Sequence, residues 1–124
     1  MNTARMAALA ALFGLASASA ASAQGIVDEY CTKVSRNDKV ASDGYALTDA
    51  ASILRQDRAN YHKFGIRDPG DQGDSTFKSA KARSRIPAML DNGDTDAATL
   101  RKIVSGNPRV CVEIYRNSLF VYSN

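Results

Sequence analysis

Two cysteines, Cys31 and Cys111, lie roughly 80 positions apart and constrain this chain more than any other feature. The first residues say which compartment they meet. Residues 1–5 form a short start with Arg5 as its only charged side chain. Residues 6–15 are an unbroken apolar run, and residues 17–23 are all small, ending in Ala21-Ser22-Ala23. That order of regions describes a secretory signal peptide, residues 1–23. The apolar run is too short and too rich in Ala to span ~30 Å of hydrocarbon as an anchor. A lipid anchor needs a cysteine at the cleavage point, and the first is Cys31. An exported chain with an even cysteine count reads as disulfide-bonded, since oxidising compartments let such bonds persist. No CxxC spacing marks either sulfur as part of a redox pair. A link across a loop of this length contributes ~4 kcal/mol in the chain-entropy model.

Cleavage leaves residues 24–124 as one small exported domain, periplasmic or secreted, with no transmembrane segment. Losing Arg5 lowers the formal charge from +3 to +2, a mild excess that selects no partner class. Distribution is more informative. Residues 75–90 hold four basic side chains and no acidic one.

The longest regular element expected is a helix over residues 48–64. Ala50, Ile53, Leu54, Tyr61 and Phe64 fall along one side at helical spacing, interrupted by Asp57. Arg55, Arg58 and His62 form a second, basic stripe, and Gly65 is placed to cap the C-terminus. Residues 24–34 also carry apolar side chains at helical spacing and read as a short helix, although Ile, Val and Tyr suit a strand too. Residues 35–44 read as a loop. Three Gly, one Pro and three Asp make residues 64–75 a second loop. A helix over 76–84 follows, capped by Asp74 or Ser75, with Phe77 and Ala80 inward and Lys78, Lys81 and Arg85 on one face. Pro87 forces a break before a short helix that ends at Asn92-Gly93. Asp94 or Thr95 caps a helix over 96–104.

At residue 109 the period changes to two. Val110, Val112 and Ile114 alternate with Cys111, Glu113 and Tyr115, and residues 119–123 alternate likewise. A two-residue turn at Asn117-Ser118 pairs Tyr115 with Phe120 and Ile114 with Val121. Val112, Ile114, Leu119 and Val121 then share one face. Cys111, Tyr115, Phe120 and Tyr122 share the other, with cover expected on both. The fold expected is α+β: three to five short helices, a docked C-terminal hairpin and one disulfide.

Chemistry has few anchors. Asp68, Asp71 and Asp74 are spaced by three beside glycines, but the EF-hand rhythm is absent, and its twelfth position, counted from Asp68, is Ser79. The acidic turn at residues 91–96 fails the same template and reads as a helix stop followed by a cap. No metal site and no cofactor is expected. His62 is the only histidine, and neither GxSxG nor HExxH occurs. The leading expectation is a non-enzymatic interaction module. Its two basic faces, Arg55–Arg58–His62 and Lys78–Lys81–Arg85, would bind another envelope protein or an anionic envelope component. Nucleic acid fits poorly, because the aromatic residues are not interleaved with the basic ones. The alternative is a small hydrolase of envelope polymers, using His62 with Asp57 or Asp68, or a carboxylate pair, at the mouth of the 64–75 loop.

Overall fold

The computed structural model describes residues 25–124; the expected leader lies outside them. Strand β1 (Asp28–Lys33) comes first, then a 3-10 turn at Arg36–Lys39. Helix α1 (Ala50–Ala59) runs on into a π turn, Asn60–Phe64. Three shorter helices follow: α2 (Ala80–Arg83), α3 (Ile86–Asp91) and α4 (Ala97–Ser105). Strands β2 (Arg109–Ile114) and β3 (Leu119–Ser123) close the chain. The sheet is antiparallel in the order β1-β2-β3, and the helices pack on one of its faces. The domain is therefore a small α+β fold with a C-terminal hairpin.

The disulfide is present. Cys31 and Cys111 are directly opposite one another on neighbouring strands and are joined. The expected helix over 24–34 is instead β1. Tyr30 and Thr32 point inward and are buried, while Glu29, Cys31 and Lys33 point outward. Pairing along all six residues with β2 outweighs a helical spacing that six residues cannot specify. Ile26 and Val27, which that spacing placed inward, are exposed.

The hairpin forms with its register two residues from expectation. Ile114 pairs with Leu119 and Glu113 with Phe120. Residues 115–118 make the turn, closed by Tyr115 N–H donating to Ser118 O at 2.9 Å. An even shift leaves every side chain on its face, so Val112, Ile114, Leu119 and Val121 are still the buried set. The other face is only partly covered: Phe120 is half-buried and Tyr122 is exposed.

Ile53 and Leu54 of α1, Ile86 and Met89 of α3 and Ile103 of α4 fill the space above the sheet. Asp49 caps α1 by accepting from Ser52 N–H at 2.8 Å, and Gly65 ends the π turn at φ +64°. Pro87 sits in the first turn of α3 as expected. Asp96 caps α4, in place of Asp94 or Thr95, by accepting from Thr99 N–H. The helix expected over 76–84 is helical only in its second half. Arg83 Nη1 donates to Phe77 O at 3.1 Å and to Lys78 O at 2.8 Å, taking both carbonyls out of any helical ladder. Ser79 caps what remains, and Ala80 faces solvent.

Each acidic, glycine-bearing turn protects an edge of the sheet. Along β1, Gln72 N–H donates to Cys31 O, Gln72 Oε1 accepts from Cys31 N–H, and Asp71 Oδ1 accepts from Lys33 N–H, all within 2.9 Å. Asp28 accepts from Ser75 N–H and the Thr76 hydroxyl. Burial raises the Asp28 pKa, but these hydrogen bonds together outweigh it and hold the group below its usual value. Along β3, Thr95 Oγ1 accepts from Val121 N–H at 3.0 Å. Gly93 fits there because any Cβ would lie 1.8 Å from Leu119 O. Unpaired edge strands invite association, and these turns cover much of the β1 edge and part of the β3 edge.

Candidate interaction face

The six basic residues read from the sequence separate into different environments. Arg58 belongs to the core: its side chain has no solvent-exposed surface. Nε donates to Asp57 Oδ2 at 2.8 Å, and Nη1 donates to Asp74 Oδ1 at 2.9 Å and to Gln72 O at 3.0 Å. The guanidinium lies 3.7 Å from the centroid of the Tyr30 ring. Its Nη2 and the Tyr30 hydroxyl are buried without a hydrogen-bond partner among the described residues. One guanidinium thus serves two buried carboxylates. Burial drives the Asp57 pKa up to about 7, against the pull of Arg58 and a hydrogen bond from the Thr32 hydroxyl. Burial likewise raises Asp38, which accepts from Ser35 N–H and Asn60 Nδ2.

The His62 side chain is only 9% exposed, with Nε2 2.7 Å from Asp74 Oδ1. The acid beside it is therefore Asp74, not Asp57 or Asp68. Asp74 is committed elsewhere as well, accepting from Arg58 and from Phe77 N–H. Among the described residues no hydroxyl is hydrogen-bonded to the imidazole, so the nucleophile–base–acid geometry of a hydrolase is not assembled around it. Asp71 hydrogen-bonds Asp68 N–H and Lys33 N–H, which accounts for its carboxylate within the loop. Among the described residues no group of three metal-ligating side chains converges.

Arg55 remains on the surface, and it marks the candidate face. It lines a depression of about 320 Å³ with Lys63, Phe64 and Ala80. A second depression, of about 400 Å³, lies against Arg36, Val40, Phe64 and Ile66. The two share Ala41, Ser42, Gln56 and Phe64, so they adjoin. No acidic residue lines either one. Val40, Phe64 and Ile66 are 41%, 44% and 45% exposed, a concentration of bare apolar surface. None of Arg36, Arg55 and Lys63 forms an ion pair among the described residues.

Lys78 and Lys81 are exposed on the neighbouring segment, and Ala80 between them lines the first depression. Packing of α2 against α1 brings this half of the second basic stripe beside Arg55. Arg85 points elsewhere, with Nη2 reaching Arg116 O at 3.3 Å. Sequence spacing missed Arg36, Lys63, Val40 and Ile66, and assigned Phe64 to the core. The π turn explains Phe64. Its wider coil, closed by Gly65 N–H on Asn60 O, moves residue 64 off the stripe that an α-helix projects.

No family model, curated protein or solved structure matches the chain. No helix among the described residues is long and apolar enough to cross a membrane. The disulfide is consistent with an oxidising compartment.

Proposed function

We propose that this protein is an exported, non-enzymatic interaction module that docks an acidic protein partner on the face around Arg55, Lys63 and Phe64. The observation that carries the reading is the pair of adjoining depressions, lined by basic and apolar side chains and by no carboxylate. Apolar anchors supply binding energy, and unpaired surface cations supply orientation and on-rate. The face is recessed, which suits inserted side chains better than a flat lipid surface. Export rests on the composition of residues 1–23 and on the disulfide. N-terminal sequencing of the natural protein then finds Gln24 first.

The test is titration of a labelled peptide alternating Asp or Glu with aromatic residues, in parallel with vesicles of anionic lipid. The reading expects peptide binding that weakens with added salt. The double variant Arg55→Gln/Lys63→Gln should lose about tenfold in affinity. Equal affinity of wild type and variant rejects it. Binding to vesicles but not to peptide rejects the protein partner in favour of an anionic surface.

A further inference from the structure

Near the hairpin turn the outer face of the sheet is the chemical complement of the face just described, while at its far end Lys33 stands opposite Arg109. The register sets Glu29 opposite Glu113 and Glu113 opposite Phe120. Like charges directly opposed on neighbouring strands destabilise a sheet. Neither carboxylate is relieved by an ion pair among the described residues. Beside them lies a depression of about 460 Å³, lined in part by Asp94, Glu113, Tyr115 and Phe120 and by no basic residue. Phe120 and Tyr122 stack with centroids 6.0 Å apart, and Tyr122 is 38% exposed. The end of the sheet face nearest the hairpin turn is therefore acidic and aromatic, and the helix-side face is basic and apolar. They share no residue. The outward residues of the strands point away from the helix layer, whereas Arg55 lies on the side of α1 turned away from its buried residues Ile53 and Leu54.

We propose that the acidic partner of the helix-side face is the turn-proximal end of the sheet face of a second copy of this chain. The inference rests on reading the helix-side face as an acid-binding surface. Docking brings Arg55 and Lys63 of one copy to the opposed Glu29 and Glu113 of the next and relieves their repulsion. A formal charge of only +2 once Arg5 is removed leaves little repulsion between copies. The two surfaces differ, so the contact is heterologous. It propagates head to tail into open chains or a ring instead of stopping at a two-fold dimer.

Sedimentation of the oxidised protein tests this. At low salt the average mass should climb past that of a dimer between about 10 µM and about 1 mM, and fall back to the monomer when salt is added. The variants Glu29→Gln/Glu113→Gln and Arg55→Gln/Lys63→Gln should each remain monomeric and folded, the first melting no lower than wild type because its cross-strand repulsion is gone. Mixed one to one, they should form a heterodimer and nothing larger, because each retains one competent face. A wild type monomeric throughout this range overturns the inference, as does a mixture that stays monomeric or a variant that still assembles alone. If wild type is monomeric but binds the acidic peptide, self-recognition fails while the acid-binding face stands. If it does neither, both fail.

Discussion

Arg58 Nη1 donates to Asp74 Oδ1 at 2.9 Å, and neither side chain has any solvent-exposed surface. That contact ties the last turn of the longest helix to the loop sealing the edge of β1, and Asp74 also accepts from Phe77 N–H at 2.6 Å. It makes Arg58 a structural residue. Arg58→Met leaves Asp57 and Asp74 buried without their cation and should cost about 3–5 kcal/mol. Chemical denaturation read by circular dichroism checks this. A loss below about 1 kcal/mol would place Arg58 in solvent.

Asp57 gives stability an unusual pH profile. Its folded pKa, near 7, lies above the unfolded value of about 3.9. The folded state therefore holds the extra proton between these values, and stability falls as pH rises through that window. Raised Asp38 acts with the same sign, and lowered Asp28 withdraws its contribution only below about pH 4. Stability should be greater at pH 5 than at pH 7.5 by about 2 kcal/mol. Asp57→Asn should flatten most of that slope. Stability that increases from pH 5 to pH 7.5 contradicts the assignment.

The disulfide joins two strands that already pair, so its loss should weaken the fold without redirecting it. Cys31→Ala/Cys111→Ala should cost roughly 4 kcal/mol, the loop-closure value for a loop of this length. The amides of β1 and β2 should stay protected against hydrogen exchange. Loss of that protection under conditions where the helices survive would show that the bond creates the pairing.

Gly93 is required by a close approach. A Cβ there would overlap Leu119 O, a backbone atom that cannot swing aside. Gly93→Ala should cost about 1–3 kcal/mol by forcing the turn away from β3. Gly25→Ala, where a Cβ meets nothing within 4 Å, should be neutral. Equal melting temperatures for the two variants would contradict the contact.

The sequence displays some of these features directly and conceals others for definite reasons. Two cysteines allow one intramolecular bond, and Pro87 fits a helix only in its first turn, so both were readable. The hairpin faces were readable although its turn is longer than Asn117-Ser118, because alternation survives an even slip. The β1 segment was not, since a short apolar run suits helix and strand alike. Arg55 and Arg58 share one basic stripe on paper. Only tertiary packing, which brings Asp74 and the Tyr30 ring to Arg58, decides which of them is buried. The candidate face was half visible: Arg55, Lys78 and Lys81 were marked by spacing, whereas Arg36 and Val40 arrive from the segment before α1 and Ile66 from the loop after its π turn, neither on the helix stripe.

Arg55 and Arg58, three residues apart on one helix, carry the central claim that one meets the partner and the other holds the fold. The decisive measurement compares Arg55→Glu with Arg58→Lys for acidic-peptide affinity and for unfolding free energy. Arg55→Glu should lose about tenfold in affinity at unchanged stability. Arg58→Lys should lose about 1–2 kcal/mol of stability and keep its affinity. The reverse pattern, with affinity lost at Arg58 and stability lost at Arg55, would contradict the account.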